Sequence, residues 1–240
     1  MVNKPRRRKQ AGHGRAYLVV GIILVLAVAS VTYAYSAGIG PFNNQSTSST
    51  TTTGSIVYAT ISTTKGSFEV ELFKSSAPRT VTNFVNLATS GFYNDLVWHR
   101  IIKGFVIQTG DPNTKGGVNG TRSTWGQGTS GASVPFEYDP SLHNSRGYIA
   151  MASTAAGSGG TSQFYINLND TNAANLDGNY AVFGKVLNGS GMAVVDAIAN
   201  VPVYTYLQLG CTSRQTCTSP LLDQPITPVF LVSVKILSGP

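Results

Sequence analysis

The sequence predicts a mainly β protein: a closed antiparallel barrel of about eight strands with two helices, preceded by one N-terminal transmembrane helix. Three observations carry this. Short apolar runs, some with period-two alternation, recur between Gly, Asn and Asp punctuation. Only two stretches show helical spacing. A basic tail leads into about 20 apolar residues, enough to span a bilayer, before the first strand-like run begins.

Taken in order, Lys4, Arg6, Arg7, Arg8, Lys9 and Arg15 make residues 1–15 a basic tail and supply six of the 17 basic residues. The other 11 face 10 acidic residues, so the formal charge of +7 belongs to the tail. The body has no basic surplus that would favour a nucleic-acid partner. Ala16 to about Tyr35 is rich in Val, Ile, Leu and Ala, and no charged residue occurs before Lys65. A span over 16–37 exceeds the roughly 7 to 15 apolar residues of a cleavable signal, which favours a retained anchor. Ala27-Val28-Ala29 and Ala34-Tyr35-Ser36 offer the alternative, cleavage and secretion. Positive charge stays on the cytoplasmic side. The expectation is therefore a single-pass cell-membrane protein with its domain outside the cytoplasm. Residues 38–55, Ser/Thr-rich and uncharged, read as a linker, and residues 56–240 as the folded domain.

Ile56 to Thr63 is the first strand, joined through Thr64-Lys65-Gly66 to a second in which Phe68, Val70 and Leu72 alternate with Glu69 and Glu71. Pro78 opens an amphipathic helix with Val81, Phe84, Val85 and Ala88 on one face, stopped at Gly91. Strand-like runs follow at Trp98 to Ile102, Phe105 to Thr109, Gly147 to Ala152, Gln163 to Asn167 and Ala181 to Val186. Met192 to Ala199 reads as the second helix, and Val229 to Leu237 as a closing strand with apolar side chains on both faces.

Several chemistries can be set aside. Gly126 to Gly131 matches GxGxxG, but no helix pattern follows before Pro135, so a dinucleotide site lacks the helix N-terminus it requires. Gly128 to Ala132 misses a nucleophile elbow by its last glycine. The histidines, His13, His99 and His143, have no partners at metal-ligand spacing, so structural or surface roles are expected and no metal. Cys211 and Cys217 could close a small loop in an oxidising compartment or remain free thiols.

Four blocks remain: Trp98 to Asp111 (WHRIIKGFVIQTGD), Gly147 to Ala152 (GYIAMA), Ser162 to Ile166 (SQFYI) and Leu176 to Val186 (LDGNYAVFGKV). With Thr64 to Phe84 before them, they resemble the cyclophilin family of peptidyl-prolyl cis/trans isomerases over roughly Ile56 to Leu237. The resemblance implies a cyclophilin-like barrel and an enzyme, without cofactor, that accelerates X-Pro rotation in exported or membrane-associated polypeptides. That rotation crosses a barrier of about 18 to 20 kcal/mol set by amide resonance and breaks no bond. Catalysis would come from binding the twisted amide better than the planar forms.

By resemblance the catalytic residues are Arg100, Phe105 and Gln108. Arg100 would donate a hydrogen bond to the prolyl nitrogen as its lone pair returns, and Gln108 would position Arg100. The substrate-binding residues would be Val106, Ala152, Ser153, Gln163, Tyr165, Leu176 and Tyr180. Phe105, Val106, Tyr165 and Leu176 would seat the proline ring, while Ala152 and Ser153 would offer backbone hydrogen bonds. Asn175 stands where cyclosporin-binding relatives typically carry Trp, which weighs against affinity for that drug, and Tyr180 stands where many carry His. Thr154 to Thr161 and Asn200 to Pro228 look extended for the family. A non-catalytic proline-peptide-binding or chaperone module on the same barrel is the alternative, disfavoured by Arg100, Phe105 and Gln108 occurring together. A sugar-bearing surface protein, suggested by sequons at Asn44, Asn119, Asn169 and Asn188, is a weaker third.

Overall fold

The computed structural model describes residues 56–117 and 122–237. The basic tail, the expected anchor, the linker and the sequons at Asn44 and Asn119 lie outside the described residues. Among the described residues no helix is long and apolar enough to cross a membrane.

The strands are β1 (Val57–Thr63), β2 (Gly66–Leu72), β3 (Leu96–Val97), β4 (Arg100–Ile102), β5 (Val106–Thr109), β6 (Tyr148–Met151), β7 (Phe164–Asn167), β8 (Val182–Val186) and β9 (Phe230–Leu237). They form one antiparallel sheet in the order β3-β9-β1-β2-β8-β6-β7-β5-β4. Its two ends, β3 and β4, are separated in the chain by only Trp98 and His99, so the sheet has to curl until they meet. The expected closed barrel of about eight strands is corrected accordingly. The described residues show a curled nine-stranded sheet with no hydrogen-bonded ladder between β3 and β4. The groups such a ladder would use are satisfied elsewhere: Trp98 N donates to Val229 O and Ile101 N to Asp223 O, both at 2.9 Å.

Local chemistry explains the elements. Thr63 Oγ1 donates to Gly66 O at 2.8 Å and accepts from Lys65 N at 3.0 Å, which closes the β1–β2 hairpin. Apolar residues fall on both faces of β9 because the β1–β9 register shifts between Ser62 and Thr63: Val232 is left without a partner and points to solvent, while Leu231 and Val234 both reach the core. Helix α1 (Pro78–Thr89) carries Pro in its first turn, where no N–H is needed. It is capped from a distance: the Glu137 carboxylate accepts from Arg79 N at 3.0 Å and Thr80 N at 2.8 Å. A one-turn helix, α2 (Ala173–Leu176), was not expected, being too short to show periodicity. Helix α3 (Gly189–Ala199) starts before Met192 because Asn188 Oδ1 accepts from Gly191 N at 2.7 Å; the Gly189-Ser190-Gly191 run hides that start.

Helix α1 lays Val81, Phe84 and Ala88 into a core whose centre is aromatic. Phe164 meets Phe84, Tyr93 and Trp98 edge-on, with centroids 5.4, 5.6 and 6.0 Å apart. Period two then separates core from site. Ile101, Ile107, Ile149, Phe164, Ile166 and Phe183 face the core, while Val106, Ala150, Tyr165 and Val182 on the same strands form a second apolar cluster on the opposite face. Leu176 of α2 packs on that second cluster.

Candidate active site

Arg100 and Gln108 lie directly opposite each other on β4 and β5, and Gln108 lies opposite Tyr165 on β7. Strand pairing thus gathers on one face residues far apart in sequence. Phe105 sits in the β4–β5 turn, its N–H bonded to Ile102 O at 2.9 Å, and the Arg100 guanidinium lies 5.8 Å from its ring centroid. A cavity of about 240 Å³ is lined by Arg100, Phe105, Val106, Gln108, Ala152, Ser153, Tyr165, Leu176 and Tyr180. Gln163, the remaining residue singled out from the sequence, lines an adjoining cavity of about 580 Å³ that shares Gln108, Ala152 and Ser153. Thr154, Gly159, Gly160 and Thr161, from the extended loop, wall that second cavity.

A chain of side-chain amides sets the orientation of Arg100. Gln163 Nε2 donates to the carbonyl oxygens of Gly126 at 3.0 Å and Gly128 at 2.8 Å. Carbonyls only accept, so the NH2 of Gln163 must face them and its Oε1 must face Gln108. Gln108 Nε2 donates to that oxygen at 2.9 Å, which turns Gln108 Oε1 toward Arg100 Nη1 at 3.3 Å. The GxGxxG match thereby gains a structural explanation: a Cβ at Gly128 would lie 2.0 Å from Asp111 Oδ1, so only glycine lets the backbone come close enough for its carbonyl to anchor Gln163. Asp111, fully buried, holds this loop by accepting from Gly126 N and, at 2.7 Å, from Asn113 N.

The apolar seat has its own polar brace, centred on Asn144. Tyr165 OH donates to Asn144 Oδ1 at 2.7 Å, and Asn144 donates through its backbone N (2.7 Å) and Nδ2 (2.9 Å) to Asp177 Oδ1. Burial raises the Asp177 carboxyl, but hydrogen bonds from Asn144 and His143 outweigh it and hold the group below the usual carboxylate range. Burial likewise keeps the Tyr165 phenol protonated. Tyr180 meets Tyr165 edge-on, with centroids 5.7 Å apart. Asn144 was not singled out in the sequence; its only signal was the Asp in the Leu176-Asp177-Gly178 block, whose partner lies on a distant loop. Asn175 is exposed, and its carbonyl accepts from Asn179 Nδ2 at 3.0 Å.

Burial pulls the Arg100 guanidinium below its ordinary value, against the opposing effect of Asp223. An arginine remains protonated under such a shift. His99, the preceding residue, is buried, and that burial pushes the imidazole down to about 4 despite the nearby Asp111. It is neutral at pH 7 and points away from acid–base work. His143 is exposed and bonded to Asp177. Among the described residues no group of three or more His, Cys, Asp or Glu side chains could hold a metal ion.

The extension from Asn200 to Pro228 also reaches the site. Cys211 and Cys217 are joined by a disulfide, with Cα atoms 5.2 Å apart. Arg214, between them, forms a two-pronged ion pair with Asp223, and Asp223 O takes the Ile101 N–H on the free edge of β4. Arg122 donates to Pro225 O at 2.7 Å and Ile226 O at 3.0 Å, tying the extension to the loop that carries Gly126.

Residues 58–216 match the family model described as cyclophilin type peptidyl-prolyl cis-trans isomerase. A peptidyl-prolyl cis-trans isomerase of Acinetobacter baylyi is 40% identical over 179 residues, covering 73% of this chain and 83% of the relative. One from Helicobacter pylori is 41% identical over 145 residues, covering 59% and 79%. Among solved structures, a cyclophilin type peptidyl-prolyl cis-trans isomerase of Cryptosporidium parvum superposes with a TM-score of 0.60 at 28% identity, covering 77% of this chain and 99% of that one. The same relative was also solved in the presence of the dipeptide Ala-Pro.

Proposed function

The chain belongs to the cyclophilin-type peptidyl-prolyl cis-trans isomerase family, and from that premise we propose that the Arg100 groove is where it turns X-Pro bonds. The observation that carries this is the amide relay ending on Arg100 beside a cavity that Phe105, Val106, Tyr165 and Leu176 help to line. Phe105, Val106, Tyr165 and Leu176 seat the prolyl ring, and Ala152 and Ser153 run beside the peptide backbone. As the amide twists, conjugation is lost and the prolyl nitrogen regains its lone pair. A guanidinium N–H of Arg100 donates to that nitrogen, stabilising the twisted form more than either planar one. Gln108 keeps the guanidinium turned to the groove, so little reorganisation remains when the bond rotates. The Ala-Pro dipeptide used with the Cryptosporidium relative supports a proline-containing substrate. A protease-coupled assay on a short X-Pro peptide tests this reading. Tight binding of the peptide without faster isomerisation would favour a binding module instead.

The same proposal includes a place: anchored by residues 16–37, with the domain outside the cytoplasm and exported polypeptides as substrates. Its supports are the basic residues ahead of the apolar run and a disulfide, which persists in oxidising compartments. Protease added to intact cells should then digest the domain and spare the basic tail; protection of the whole chain would exclude this topology.

A further inference from the structure

Strand β4 is the edge of the sheet and carries Arg100, and its free edge is covered by the extension from Asn200 to Pro228. The 2.9 Å bond from Ile101 N to Asp223 O sets Asp223 one residue from Arg100 across that edge. Asp223 is 7% exposed and held in the left-handed region at φ 66°. A carboxylate so buried requires a cationic partner. Arg214 supplies it, both guanidinium nitrogens engaging both carboxylate oxygens, from within the loop that the Cys211–Cys217 bond closes. Both charges also act on Arg100: Asp223 favours its protonated form and Arg214 opposes it.

We infer that Arg214 is a positioning residue for the isomerase reaction: by occupying the Asp223 carboxylate it leaves the Arg100 guanidinium to Gln108 and the substrate amide. Without Arg214, a buried negative charge stands unneutralised beside Arg100. Arg100 is held to Gln108 by the longest bond of the relay, 3.3 Å, and turns toward the carboxylate instead. The extension thus acts as an electrostatic guard, and the disulfide keeps the guard in place. This inference rests on the role given to Arg100 above.

The test uses the full chain in detergent micelles and a short X-Pro peptide. Arg214→Gln should lower kcat about tenfold, the scale of a modest misplacement of a catalytic group, with KM changed less than about twofold. Adding Asp223→Asn, which keeps the size and tolerates the left-handed backbone, should bring the double variant back to within about threefold of wild type. Thermal melts on the same samples separate this from a role in supporting the fold, in which loss and rescue would follow the melting temperature while kcat per folded molecule stayed constant. Wild-type turnover in Arg214→Gln, or a double variant as slow as the single one, overturns the inference. Should Arg214→Gln fail to fold, Cys211→Ser with Cys217→Ser loosens the same guard. That variant should be slower and again be rescued by Asp223→Asn, and full activity or absent rescue counts against the inference. Arg100→Ala is measured alongside: if it retains activity, the role of Arg100 itself falls, and if it is inactive while Arg214→Gln is not, only the guard falls.

Discussion

If Arg100 acts as proposed, Arg100→Ala should separate catalysis from stability, and the geometry predicts by how much. In the folded protein the guanidinium makes one side-chain hydrogen bond, at 3.3 Å to Gln108, and one contact with the Phe105 ring at 5.8 Å. Losing both costs about 1 kcal/mol of stability, since neither is short and the side chain is only half-buried. On the proposed role, the same group is a preorganised charged donor to the twisting amide, worth about 3 to 4 kcal/mol in the transition state. At 1.36 kcal/mol per tenfold, that corresponds to a fall of about 100- to 1,000-fold in kcat. Arg100→Lys keeps the charge but not the fork that reaches Gln108 and substrate together, so it should fall between, about tenfold below wild type. Turnover in a protease-coupled assay is compared with the midpoint of thermal unfolding on the same samples. Near wild-type kcat in a folded Arg100→Ala variant, or losses that merely track the melting temperature, would refute the reasoning.

Gln163→Leu leaves the Gly126 and Gly128 carbonyls and the Gln108 amide without their partners, so kcat should fall about tenfold with Arg100 still present; unchanged kcat would show that the relay does not orient Arg100. Tyr165→Phe keeps the ring but strands the buried Asn144 oxygen, and thermal melts should show about 1 to 3 kcal/mol of destabilisation with little change in KM. His99 gives a pH dependence whose sign is fixed. Its pKa is lowered to about 4 in the folded state, against about 6.5 unfolded. Between those values only the unfolded chain takes the proton, so stability is full above about pH 6.5 and falls by about 3 kcal/mol as pH drops toward 4. Denaturant titrations at pH 7 and pH 4.5 should show the fall, and His99→Gln should flatten it.

The strands and the two longer helices were legible because period-two alternation and helical spacing belong to each segment alone. Phe68, Val70 and Leu72 alternate whichever strand they pair with, and Val81, Phe84 and Ala88 share a face in any amphipathic helix. Leu96–Val97 is too short to have a period, and α2 is a single turn, so neither carried a signal. The ten candidate site residues are named through resemblance, since nothing in their spacing says that Arg100, Tyr165 and Leu176 share one cavity. How the amides point was out of reach: Gln163 is oriented by two backbone carbonyls, and a carbonyl has no letter in the sequence.

The sequence by itself determined the β character, the basic tail ahead of an apolar run, the near-neutral body and the residue types at the site. These are properties of neighbours along the chain, where composition and period act directly. Only the tertiary structure decided that β3 and β4 are the two ends of one curled sheet, that Asn144 braces Tyr165, and that Asp223 with Arg214 stands beside Arg100. The physical reason is common to all three. Each depends on polar groups that meet across intervening chain, Trp98 N with Val229 O, Tyr165 with Asn144 and Ile101 N with Asp223 O, and the curling of the sheet, rather than any local preference, sets which partners meet.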